Sequence, residues 1–367
     1  MKHFVFYILL LKVGLTIPFI CISQDSKFSF LTLPEHITTY YHHGYLFPHH
    51  PSMAYFTAEN INGFEIIASK YYPSINPDRP PEIGFGYYFS NLGDRDVYGL
   101  AHGLYMMLGG DFFKNRSKIY LQQGISFGIS YNTEHFDIKE NYSNRAIGSH
   151  LNTFFILSMN MKVKLGQNLL LSAGPSLVHM SNGNIKRPNF GLNLINSRVG
   201  LTWKMNPVKS SSIEFFEPLE YNKNRYLILF SGGVRHQSRL IPEYFPVGSF
   251  IAEYSRRLGL NHALGIGIDF IYDPTEGLEL YVIGAHIENI IPWHGGIHLS
   301  YERIWNKLSI ILQPGYKIIA PSEHYFYQFN RVGFRYKFNN NIVLNYSIKT
   351  HSFAADFIEF GVGYCFE

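Results

Sequence analysis

Period-two alternation of apolar with polar residues recurs along this chain. In "RVGFRYKF", residues 331–338, Val332, Phe334, Tyr336 and Phe338 oppose Arg331, Gly333, Arg335 and Lys337. In "NIVLNYSIK", residues 341–349, Ile342, Leu344, Tyr346 and Ile348 oppose Asn341, Val343, Asn345, Ser347 and Lys349. Successive side chains of a strand point to opposite faces, so each segment reads as a strand with one apolar and one polar wall. Cations facing inward are costly in a dry sandwich core and ordinary in a polar barrel lumen.

Composition narrows the class. Aromatics make up 17% of the chain and charged residues 16%, against roughly 25% charged in soluble domains. Beyond the first residues no apolar run reaches the roughly 20 needed for a membrane helix. Aromatic richness, low charge and alternation together predict an all-β, antiparallel transmembrane β-barrel. About fourteen strands are counted from Gly63 to Phe366, with twelve to sixteen allowed by the turn clusters "NLGD", "NPDRPP" and "DPTEG". The closing segment "FIEFGVGYCFE" alternates to Phe366 and resembles the terminal signal of bacterial outer-membrane barrels, with Glu367 following the last aromatic.

The opening "MKHFVFYILLLKVGLTIPFICISQD" has a basic start, an apolar run and the small-x-small Cys21-Ile22-Ser23. That layout predicts a secretory signal peptide over residues 1–23, cleaved before Gln24. Cys21 would leave with it, so Cys365 alone remains, and no internal disulfide or cysteine-based zinc site is expected. A net charge of +4 is far from a nucleic-acid footprint. Residues 24–60, rich in His, Tyr and Pro, read as an irregular arm or plug. Residues 61–205 and 225–367 read as wall. The interruption "NPVKSSSIEFFEPLEYNKN", residues 206–224, reads as a long loop or as a seam between two smaller barrels. One barrel is preferred, because each half would need its own closure.

One segment carries chemistry. "HMSNGNIKRPNFGLN", residues 179–193, follows the strand "NLLLSAGPSLV", whose apolar set is Leu169, Leu171, Ala173, Pro175 and Leu177. The same parity continues to His179 and Ser181, which therefore face lipid. Cα atoms two apart in a strand are separated by roughly 6.5 Å, a gap an imidazole can span. In the next strand Asn193 shares parity with Ile195, Val199, Leu201 and Trp203. Three polar side chains on a lipid-facing wall are costly unless they serve a purpose. The plain alternative is a polar strand end at the membrane interface.

This segment resembles the signature of the outer-membrane lipid A 3-O-deacylases of the PagL type, the acyloxyacyl hydrolase family. The resemblance is good over about residues 85–205, and the region from 225 onward resembles the C-terminal extension of the bacteroidete-type long form. It implies Ser181 as nucleophile, His179 as general base and Asn182 as an oxyanion contributor. The family glutamate that orients the histidine has Asn193 at its matching position. The expected partners are lipid A and outer-membrane lipids, not nucleic acid, and neither metal nor cofactor is implied. Lys186 and Arg187, in a stretch without acids from Asn141 through Ile213, are expected to attract the phosphates of lipid A. The alternative is a non-enzymatic barrel, a channel or a scaffold with a degenerate site.

Three other clusters are read as structural. His236 and Ser238 in "RHQSR" repeat the His-x-Ser spacing without the Asn or the Pro-Asn-x-Gly return, and read as chance. His42, His43, His49 and His50 lack acidic partners for a metal. His351, Asp356 and Glu359 read as a stabilising lumen network.

Overall fold

The computed structural model describes residues 34–367 apart from 49, 58, 73–79, 114–117, 206–221, 239–240, 260, 276–291, 306, 320–326 and 352–353. The expected signal peptide and His49 lie outside the described residues, as does nearly all of the interruption at 206–224.

Sixteen strands are described. The first eight are β1 (His36–Leu46), β2 (Ile61–Tyr71), β3 (Glu82–Asn91), β4 (Leu100–Asp111), β5 (Ile119–Asn132), β6 (Leu151–Lys164), β7 (Leu169–Ser181) and β8 (Leu192–Lys204). The second eight are β9 (Asn224–Ser238), β10 (Ile241–Arg257), β11 (His262–Tyr272), β12 (Trp293–Trp305), β13 (Leu308–Ile319), β14 (Gln328–Lys337), β15 (Ile342–His351) and β16 (Ala354–Phe366). Every pairing is antiparallel, and the strands form two closed barrels of eight, β1–β8 and β9–β16.

Two expectations are thereby corrected. The wall is two barrels rather than one of about fourteen strands, and residues 36–46 are a wall strand rather than an arm. The two corrections share one cause. Residues 61–205 alone supply seven strands, β2 to β8. An odd number cannot close an antiparallel barrel, because the first and last strands would run parallel. β1 is the missing partner: His42 pairs with Gly63 of β2 on one side and Arg198 of β8 on the other. In the second barrel β9 closes likewise, with Phe230 between Phe250 of β10 and Val362 of β16.

The alternation sorts the side chains as the sequence predicts. Outward residues such as Phe64, Leu104, Trp203, Phe230, Leu299 and Val362 are exposed, forming the apolar exterior that a barrel presents to lipid. The inward face is polar and hydrogen-bonded, and eight strands leave an interior that side chains can fill. In the first barrel Glu65 holds Arg198 and His42, each at 2.8 Å, and Lys162 meets Glu82 at 3.1 Å. In the second, Arg331 lies between Asp269 at 2.8 Å and Glu359 at 2.6 Å, while Arg335 pairs with Glu253 at 3.0 Å. His42 thus belongs to a lumen network. Glu359 also lies in the lumen, and His351 Nδ1 contacts Asp356 Oδ1.

Because the charges in these networks are buried and paired, removing one partner leaves a buried charge short of its counter-ion. Arg331→Ala would leave Glu359 without its cation and Asp269 with only the His298 imidazole, a loss of about 3–5 kcal/mol for a buried pair. The expected result is a markedly lower unfolding temperature, read from heat-modifiable mobility of detergent-solubilised protein. An exposed substitution such as Arg95→Ala should leave that temperature unchanged.

Candidate active site at the rim of the first barrel

The loops of the first barrel divide unequally between its ends. The connections joining β1 to β2, β3 to β4, β5 to β6 and β7 to β8 lie at one end, and the β5–β6 connection, residues 133–150, is the longest. His179 and Ser181 stand at that end, where β7 runs out into its loop. Both continue the parity of Leu169 and Leu177, which are exposed. Their outward orientation follows from strand geometry alone.

β7 and β8 bring His179 and Asn193 together. They are direct cross-strand partners, and His179 Nδ1 lies 2.7 Å from Asn193 Oδ1. An amide oxygen can only accept, so Nδ1 carries the proton in this contact and Nε2 is the ring's basic nitrogen. Ser181 is paired across β6 with Thr153, and its side chain is buried. Gly191 completes the arrangement. At φ +82°, a Cβ placed there would lie 3.0 Å from His179 Cε1 and 3.5 Å from Ser181 Cβ. The bare glycine backbone thus faces the ring and the serine from one point. Any side chain there would be strained by both its φ and its neighbours.

The loop between them is built on Asn182. Its side-chain amide donates to Ser149 Oγ at 2.9 Å and to the Lys186 carbonyl at 2.8 Å. Its backbone N–H donates to Asn189 Oδ1 at 3.0 Å. These bonds engage the donors that would be needed for an oxyanion, so this geometry makes Asn182 an organiser of the loop and argues against the role expected for it. Gly183 and Asn184 follow with φ +58° and +63°, a left-handed pair suited to Gly and Asn.

The β5–β6 loop packs on the same segment. Gly191 N–H donates to the Ala146 carbonyl at 2.8 Å, and Phe190 N–H to the Arg145 carbonyl at 3.3 Å. His50 stacks on Phe190 with ring centroids 4.1 Å apart, and His135 approaches His150 at the same distance. Burial, then the charges of His150 and Lys186, push the His135 imidazole down. Lys186 and Arg187 are half-buried in this rim. Asn189 and Gly191 belong to the Pro-Asn-x-Gly return of the motif but had no role assigned from the sequence, and Ser149 carried no signal there, since each acts through loop geometry and not through side-chain type alone.

Two domain models match the chain. Lipid A 3-O-deacylase (PagL) matches residues 71–202, and the acyloxyacyl hydrolase C-terminal domain matches residues 224–367. A crystal structure of the outer membrane enzyme PagL aligns at 16% identity and TM-score 0.31, covering 44% of this chain and 97% of that one. Mutants of the Rh. blastica porin align at 6% identity and TM-score 0.18 over 90% of this chain. No curated protein sequence matches significantly. The first match spans β3 to β8 of the first barrel and the second spans the whole of the second barrel, and the chain carries the two domains of the PagL-type lipid A 3-O-deacylase, or acyloxyacyl hydrolase, family.

Proposed function

We propose that this protein is an outer-membrane esterase that releases an ester-linked acyl chain from lipid A, with Ser181 as nucleophile and His179 as general base. The observation that carries the reading is the His179–Asn193 contact of 2.7 Å on the lipid-facing wall, with Ser181 on the same face one pleat away. A nucleophile so placed meets a membrane-embedded substrate by lateral diffusion, and needs no cavity inside the barrel.

The step is acyl transfer. Ser181 Oγ attacks the ester carbonyl while His179 Nε2 takes its proton. The tetrahedral intermediate collapses, the C–O bond to the sugar breaks, and His179 returns the proton to the leaving alkoxide. Water then cleaves the acyl-serine by the same route, giving a free fatty acid and regenerating Ser181. With Asn182 engaged in its own loop, Asn189 is the proposed oxyanion donor. Its Oδ1 accepts from Asn182 N–H, and its NH₂ is the donor half of the same carboxamide. Such a donor contributes about 3–4 kcal/mol.

Asn193 fixes the imidazole as a Cys-His-Asn site does, but an amide cannot balance the imidazolium charge as a carboxylate would. Turnover slower than with a glutamate follows. Lys186 and Arg187 supply the charges for the lipid A phosphates. Under the second reading, a channel or scaffold, the wall would need a passage or a partner surface. The buried ion networks of both lumens favour the enzyme over a channel.

Three outcomes test this. Ser181→Ala and His179→Ala should each lower fatty-acid release from purified lipopolysaccharide by roughly a hundredfold or more, with heat-modifiable mobility unchanged. Equal release by wild type and Ser181→Ala, or none by either, would rule out the enzyme. Asn193→Glu should raise kcat, by about tenfold if charge balance is the limiting deficit. Replacing Lys186 and Arg187 together by Gln should weaken lipid A binding roughly tenfold at low salt, and much less at high salt. Unchanged affinity at low salt would reject them as the phosphate contacts.

A further inference from the structure

On a barrel in lipid, an outward side chain is exposed unless something covers it. Thr153 of β6, His236 of β9 and Ile358 of β16 have outward parity and are buried. In each case the cover is the other barrel. Thr153 Oγ1 lies 3.0 Å from the Tyr346 hydroxyl, and the Phe127 ring meets those of Phe334 and Tyr346 at 4.5 Å and 4.9 Å. Ile358 fills the space beside Gly183, where a Cβ would come within 2.4 Å of Ile358 Cγ1. The seam between the barrels therefore runs along β5 and β6 of the first and reaches the β7–β8 loop.

At that loop the contacts become directional. Arg187 N–H donates to His236 Nδ1 at 3.0 Å, and His236 N–H donates to the Asn184 carbonyl at 2.9 Å. The Asn184 side chain donates to the Ala355 carbonyl of β16. One residue of the second barrel thus grips the loop backbone on both sides of Ile185 and Lys186. The first barrel ties the same loop at Asn182 and at Gly191, near its two ends.

We propose that the second barrel is part of the deacylase site, clamping the β7–β8 loop, with His236 as the positioning residue that fixes Lys186 and Arg187 for an anionic glycolipid. The activity consequences rest on the function proposed above. The clamp itself does not. His236 touches no reacting atom. It accepts the Arg187 amide and so sets where that cation begins, while the far end of the loop brings Gly191 against His179. Covering of Gly183 by Ile358 excludes lipid from the loop's flank, which keeps these hydrogen bonds out of competition with other partners. The His-x-Ser spacing at 236–238 is therefore a false match for a nucleophile and base, yet its histidine belongs to the site.

Hydrogen exchange of the Arg187 amide, followed by mass spectrometry of loop peptides in the full-length protein, tests the clamp without any reaction. Exchange should quicken about tenfold in His236→Ala, the size expected for one lost hydrogen bond. It should return in His236→Asn, whose Oδ1 can stand where Nδ1 accepted. Asn184→Ala, which leaves His236 intact, should quicken it to a smaller degree. In parallel, KM for lipid A in mixed micelles should rise about tenfold in His236→Ala, with kcat on a short-chain water-soluble ester unchanged. Unchanged exchange in folded His236→Ala and Asn184→Ala would overturn the clamp. So would equal loss on both substrates that Asn fails to rescue. If wild type hydrolyses neither substrate the esterase reading fails, and the exchange result still decides the clamp.

Discussion

A polypeptide in hydrocarbon must bond every backbone N–H and C=O to itself, because no water is available to take them. A sheet meets that condition only by closing, and closure of antiparallel strands requires an even number. Most of this structure follows from those two requirements. β1 stands between β2 and β8, although its sequence shows little apolar contrast between its two faces. The outer faces are apolar and aromatic. The inner faces, removed from lipid, hold carboxylates and cations in matched sets.

The site is a local departure from the same rule. His179, Ser181 and Asn193 sit on the face that elsewhere carries Leu, Ile, Val and Trp, and they are tolerable there because β7 ends at the rim. Their neighbours account for the remaining polarity. The Asn193 amide meets the imidazole, Thr153 lies across from the serine, and the two loops bond to each other through Asn182, Ser149, Gly191 and Ala146. The second barrel covers the flank that would otherwise face lipid. Polar chemistry at a lipid-facing wall is thus sustained by pairing and by protein cover.

Much of this was legible in the sequence. Parity alone places His179, Ser181 and Asn193 on one outward surface, because strand side chains alternate strictly and β7 and β8 are neighbours. The number of barrels was not legible, since alternation says which way a residue points and nothing about which strand it pairs with. β1 was missed because its two faces hardly differ. "HITTYYHHGYL" sets His36, Thr38, Tyr40 and His42 inward against Ile37, Thr39, Tyr41 and His43 outward, so no apolar contrast marks it as wall. The family resemblance implied Asn182 for the oxyanion, whereas its hydrogen bonds depend on how the chain folds back at Lys186 and Asn189. His236 read as a chance match in the sequence because its partner, the Arg187 amide, belongs to the other barrel.

The central claim is that Ser181, outward by strand parity and buried at the rim, is a nucleophile activated by His179. Labelling the detergent-solubilised protein with a lipophilic fluorophosphonate, and mapping the adduct by peptide mass spectrometry, tests this most directly. The account predicts an adduct on Ser181 in wild type, with labelling slowed roughly a hundredfold or more when His179 is replaced by alanine. A folded wild-type protein that leaves Ser181 unlabelled, or one labelled there equally fast without His179, would contradict it.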